Sequence, residues 1–234
     1  MKLTRIMRQT HQGIGLLVGI QVLLWISGGF VMSAFPLTKV RGEDRAAPRV
    51  AAPLDLQEEL VAPAAVARDA GWSGLDRAEL IAWHGQPVLR LSSGDKTLLV
   101  EARTGTHLSP LPENWARAVA EADYTGPGSL ATVVMQTEPR SEIRGQDLPL
   151  WRAEFDDGRR TTVYVSPASG QVVARRNNIW RVYDFFWMLH IMDYGGRDNF
   201  NHPLLITAAV VAWLLATSGL WLVAIWLTRR RRAR

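Results

Sequence analysis

Cysteine is missing from this chain of 234 residues. Disulfides, thiolate metal sites and thiol nucleophiles are therefore excluded, and any exported part must fold on core packing alone. No nucleophile elbow, phosphate-binding glycine loop, His-Glu-x-x-His helix or dinucleotide fingerprint occurs either. Ser92, Ser93, Ser166 and Ser169 fall in expected turns with no histidine placed to activate them. Hydrolysis and phosphoryl transfer are thus not expected, and no residue is assigned as catalytic.

Formal charge is missing from two long stretches, residues 14–35 and 203–227. A bilayer core needs ~20 apolar helical residues, so each stretch is long enough to cross. Lys2, Arg5 and Arg8 precede the first; Arg229, Arg230, Arg231, Arg232 and Arg234 follow the second. Positive flanks stay cytoplasmic, so both termini are expected in the cytoplasm, with the middle outside it. The first stretch exceeds a signal-peptide core and lacks a good small-x-small cleavage site, so it reads as an uncleaved anchor. The net charge of +5 then reflects topology and lipid contact, not nucleic acid. The resulting organisation is residues 1–12 cytoplasmic, 13–35 span, 36–178 outer domain, 179–201 interfacial helix and turn, 203–227 span, and 228–234 basic tail.

Small residues mark faces on which helices can approach in lipid. Gly15, Gly19 and Gly29 share one face of the first span with Val22, Ile26 and Ser33. Ala209, Ala212, Ala216 and Gly219 form a stripe on the second. The two spans could pack as a hairpin, or the same faces could form a homodimer. Gln21 is expected to hydrogen-bond across the helix pair, and Trp25, Trp221 and Trp226 to sit near span ends.

Between the spans one pattern occurs twice, at about 55–110 and 111–176. Amphipathic helices are expected at 57–70 and 113–122. Each is followed by a strand (78–84, 130–136) and then by a hairpin (87–91 with 97–101, 150–155 with 162–165). The second copy carries a polar insertion at 138–147. The fold class is α+β: two tandem helix-plus-antiparallel-meander repeats between two transmembrane helices.

Residues 177–194 form an aromatic stretch too polar to span. Trp180, Tyr183, Trp187, Ile191 and Tyr194 line one helical face, so an interfacial helix is expected. Two histidines flank its end, His190 and His202. Two imidazoles can hold haem iron axially or contribute to a metal site. Their rival role is a hydrogen-bonded interfacial histidine at each position, and Asp193 or Asp198 could orient an imidazole. His11 lies at the opposite end of a ~30 Å hydrocarbon core and cannot join them. His84 and His107 have no ligand-spaced neighbours and read as surface or packing residues.

The helix, hairpin and polar strand end before x-Thr/Ser-Gly resemble the PepSY domain. The ends resemble its membrane-anchored branch, the PepSY-associated transmembrane proteins. The matching stretches are HQGIGLLVG from His11, FWMLH from Phe186 and NHPL from Asn201. Larger relatives have four spans, so this chain resembles a minimal member of the bacterial inner membrane. The resemblance implies a PepSY-like accessory or binding protein working beside a membrane or extracytoplasmic protein, in electron transfer or in iron or haem uptake. It also implies two alternatives, a minimal haem-binding reductase component and an anchored inhibitor of an exported peptidase. No nucleic-acid partner is expected.

Overall fold

The computed structural model describes residues 2–48 and 59–232. They divide into a central unit, Leu37–Trp180, and a helical unit made of Met1–Pro36 with Arg181–Arg234. The fold is α+β, with antiparallel sheets. The elements of the central unit are the short helix α2 (Leu37–Val40), α3 (Pro63–Asp69), strands β1 (Arg77–Trp83), β2 (Gln86–Ser93) and β3 (Lys96–Glu101), helix α4 (Glu113–Asp123), and strands β4 (Ser129–Gln136), β5 (Leu150–Asp156), β6 (Thr162–Val165) and β7 (Val172–Arg176). The helical unit holds α1 (Lys2–Ala34), most of α5 (Asn178–Ile191) and α6 (Pro203–Arg232).

The first sheet has the order β1-β2-β3. His84 and Gly85, both at positive φ, make the tight β1–β2 turn that matches strand twist. Alternation puts Leu89, Leu91, Leu98 and Val100 on one face, where they pack against Val66 of α3. Val88, Leu99 and Leu111 form a second cluster, with Ile81, Trp83 and Trp115 packed against it.

The second sheet has the order β4-β5-β6-β7. Ala116, Val119 and Ala120 of α4 meet Val133, Ala153, Phe155, Val163 and Val165. These helix positions are spaced i, i+3, i+4, so burial of this face holds α4 on the sheet. Tyr164, Leu150 and Ala174 pack instead with Ile143 and Leu148 of the 137–149 segment. Within the polar insertion expected at 138–147, Ile143 thus supplies core.

Three boundaries differ from expectation. The helix expected over 57–70 is Pro63–Asp69. Gln57 and Glu58 lie outside the described residues, and Ala62 is extended because Pro63 crowds a helical conformation at the residue before it. β7 was not anticipated, since Arg175 and Arg176 mask its short apolar alternation. Residues 37–47 form a strap tied to the second sheet. Ala46 bridges Tyr124, Ala47 N–H donates to the Asp123 carbonyl at 2.7 Å, and Asn177 donates to the Lys39 carbonyl at 2.9 Å.

In the helical unit α6 is long and apolar enough to cross a bilayer by itself. α1 reaches that length only through two arms, Thr4–Leu16 and Val18–Ala34, bent by 57°. Gly13, Gly15 and Gly19 surround the bend, as is usual where a helix kinks without proline.

Candidate functional site

The α5–α6 connection is built on side chains that hold backbone. Asp184 is buried and pairs with Arg197, whose carbonyl accepts from Trp187 Nε1 at 3.0 Å. Phe200 stands edge-on to the Trp187 ring at 5.8 Å. Asp193 accepts from the N–H groups of Gly195, Gly196, Asp198 and Asn199 at 3.1–3.2 Å. These bonds, that from Asn199 foremost, hold its carboxyl below the ordinary carboxylate value. The turn ends α5 at Ile191, with Met192 at φ +56. Tyr194, expected on the helix face, therefore lies beyond the helix and is exposed. Trp180, Tyr183 and Trp187 are half-buried on α5. Arg176 stands 4.4 Å and Arg144 5.9 Å from the Trp180 ring centroid.

The two histidines of this connection are oriented by carbonyls. His190 Nδ1 lies 3.3 Å from the Trp25 carbonyl oxygen and His202 Nε2 lies 2.9 Å from that of Ile191. These contacts orient both rings and leave Nε2 of His190 and Nδ1 of His202 outside the carbonyl bonds. Asp193, one of two carboxylates that could have oriented an imidazole, is engaged by loop amides. Among the described residues no group of three or more His, Asp or Glu side chains gathers to hold a metal ion.

Close approach of α5 to α1 depends on Gly28. An added Cβ there would lie 3.3 Å from both His190 Cβ and the Phe186 carbonyl oxygen. α1 and α6 run antiparallel, with His11 against Ser218 and Gly15 against Leu215. The half-buried positions of α6 include Leu205, Ala208, Ala212, Leu215, Gly219 and Leu222. Their spacing alternates three and four, as in packed antiparallel helices. Ala212 and Gly219 lie on this stripe, whereas Ala209 and Ala216 are exposed. A side chain at Gly19 or Gly29 would meet open space. The expectation followed the smallest residues; the contact face alternates them with leucines, which fill the space between helices. The cross-helix bond comes from His11, whose Nδ1 is 2.8 Å from Ser218 Oγ. Gln21 was expected to make it, but among the described residues its buried Nε2 has no partner, and neither has Trp25 Nε1.

The central unit carries a cleft of about 820 Å3 between the β1–β3 face and the β6–β7 turn. Arg77, Arg90, Thr97, Ser166, Ser169 and Gln171 are among its lining residues. Arg90 pairs with Glu79 at 3.1 Å, and the Gln171 amide oxygen can accept from both Arg90 Nη atoms. Among the described residues Arg90 Nε has no partner. The cleft is polar, so its occupant would be held by hydrogen bonds and charge. Nearby, Trp83, His84 and Trp115 form an aromatic group, with Trp83 and Trp115 4.9 Å apart. Burial pushes the His84 imidazole pKa down. Neither feature was anticipated, because both join residues from separate elements.

Asp157 anchors the opposite side of the second sheet. Its side chain is wholly buried and accepts from Arg45, from Tyr124 Oη at 2.8 Å, and from Thr161 Oγ1 at 2.6 Å and N at 2.8 Å. Burial alone would raise its pKa, but the Thr161 and Tyr124 bonds and the Arg45 charge outweigh it and hold the carboxyl below the ordinary value. Every acceptor site is used, so Asp157 is structural.

A family model described as PepSY-associated TM region matches residues 8–234. Comparison with curated proteins and with solved structures found no match.

Proposed function

Because the chain belongs to the PepSY-associated TM region family, we propose that it is a membrane-anchored accessory protein that presents a PepSY-like binding domain outside the cytoplasm. α1 and α6 are then two spans of the bacterial inner membrane, with both termini cytoplasmic and the central unit periplasmic. The two helix-plus-meander halves are copies of one unit. Gly15, Ala212 and Gly219 serve the packing of the spans against each other. Aromatic residues of α5, Trp180, Tyr183 and Trp187, serve the membrane interface together with Tyr194. The partner is a membrane or extracytoplasmic protein of electron transfer or iron or haem uptake.

One observation carries this reading. Leu37–Trp180 holds its own cores and a polar cleft, yet its buried carboxylate is saturated with structural bonds. A self-contained unit with a polar cleft supports a binding role. The test is site-specific photo-crosslinking from Thr97 or Ser169 in the native membrane, with exposed Arg68 of α3 as control. Adducts with a membrane redox or iron-uptake protein from the cleft positions support the proposal. Adducts from Arg68 alone would move the binding surface elsewhere. Topology is tested with single cysteines. A residue such as Asp95→Cys should react with an impermeant maleimide in cells with a permeabilised outer membrane, and Arg231→Cys should not.

The carbonyl-oriented imidazoles favour one second reading, haem held by His190 and His202. The absorption spectrum of detergent-purified protein expressed with ample haem tests it. A Soret band lost in both His190→Ala and His202→Ala supports this reading, and a featureless spectrum removes it.

A further inference from the structure

Exposed sheet edges recruit other strands unless charge, proline, a bulge or a covering segment blocks them. The edges of this protein differ sharply in that respect. β1 carries Arg77 and Glu79. β3 is covered by the following segment, with Val100 bridged to His107 and Leu108 N–H donating to the Leu99 carbonyl. β7 is short and ends in Arg175 and Arg176. β4 carries no charge and no proline, and its one guard is a register irregularity near its start, between Leu130 and Thr132. It is the outermost strand of its sheet, eight residues long, and reads Ser-Leu-Ala-Thr-Val-Val-Met-Gln without charge or proline. Among the described residues its backbone pairs only with β5. Val134 and Met135 are each 40% exposed, and successive strand residues point to opposite faces. Apolar contact is thus offered on both sides of any added strand.

We propose that the β4 edge is where two copies of this chain join, their second sheets merging into one continuous antiparallel sheet. A register irregularity between Leu130 and Thr132 blunts the start of the strand and confines pairing to the Thr132 to Gln136 end. A two-fold axis at Val134 sets Val134 beside its copy, Val133 beside Met135 and Thr132 beside Gln136. This contact is isologous, so it closes at two copies. No like charges meet within the paired strands, whereas two β7 edges would oppose their arginines. Anchoring both copies in one membrane with the same orientation is compatible with a two-fold along the bilayer normal.

The lack of native cysteine makes the test direct. Full-length Val134→Cys in nanodiscs carrying two chains, or in native membranes, should oxidise to a disulfide-linked dimer, since paired strands hold Cα atoms ~4.5–5.5 Å apart. Glu121→Cys, on the exposed side of α4, should stay uncrosslinked. Light scattering in detergent should give a dimer for the wild type and a monomer for Val134→Lys, with circular dichroism confirming that the variant is folded. A monomeric wild type with no crosslink from positions 132, 134 or 136 overturns the proposal. So does a dimer that crosslinks only through Leu16→Cys or Val210→Cys on the spans, or through Glu121→Cys.

Discussion

The two units hold their buried carboxylates differently: Asp157 of the central unit collects several donors, whereas Asp184 of the helical unit pairs with Arg197. In the central unit Asp157 is wholly buried and every oxygen is engaged. Tyr164 is likewise buried and donates to Glu142 at 2.7 Å. Among the described residues both units also bury donors without a partner, Gln21 Nε2 and Trp25 Nε1 in the helical unit and Arg90 Nε and Arg152 Nε in the central one. A saturated buried carboxylate is costly to disturb, whereas a donor with no partner gives nothing to lose. The central unit is therefore best probed at the Asp157 network, and the helical unit at the close approach beside Gly28.

That contrast breaks first at Asp157. Asp157→Ala leaves Arg45 and Tyr124 without their acceptor and should cost ~3–5 kcal/mol in denaturation of the full chain, as for a broken buried pair. A cost under ~1 kcal/mol would remove the network from its central place. The same carboxyl gives a pH signature. Its folded pKa is lowered, so its stabilisation is complete above the unfolded carboxylate value of ~3.9 and is lost as pH falls through the lower folded value. The Asp157→Asn variant should lose that acid-side slope.

A smaller effect is expected at Gly28. Gly28→Leu would overpack the α1–α5 contact and should cost ~1–3 kcal/mol in unfolding of the helical unit. Gly29→Leu faces open space and should cost much less, so equal effects would rotate the packed face. Ser218→Ala removes the acceptor or donor of His11 and should cost ~0.6 kcal/mol, the usual worth of such a bond between membrane helices. Gln21→Leu should be neutral or slightly stabilising, since it deletes a buried donor that makes no bond. A loss comparable to that of Ser218→Ala would show that Gln21 has a partner.

Local pattern made much of the fold legible. The alternation of Leu89 with Leu91 and of Leu98 with Val100 announces a hairpin, and Glu113–Asp123 has the spacing of a helix laid on a sheet. What stayed hidden depends on partners far along the chain. The strap of residues 37–47 has no periodicity, and its bonds go to Asp123, Asp157 and Asn177. His190 and His202 were visible as polar residues beside a span, but backbone carbonyls leave no mark in a sequence. Gly28 differs from the expected Gly29 by one residue, about 100° around a helix. That rotation is set by what α5 needs, not by the glycines of α1 themselves. The cleft and the Trp83, His84 and Trp115 group were unreadable for the same reason, since each is assembled across elements.

The bond from Asn177 to the Lys39 carbonyl has a mechanical consequence. Residue 39 lies just inside one end of the central unit and residue 177 just inside the other. Gly42 beside Arg175, where an added Cβ would lie 3.2 Å from the arginine Cβ, reinforces the same clasp. A pull applied through the two flanking helices loads this clasp before it reaches either sheet. The clasp would act as a fuse, opening under tension while the sheets behind it stay closed. The two ends of a domain of 144 residues, 37–180, thus leave it side by side, as insertion into a helical hairpin requires.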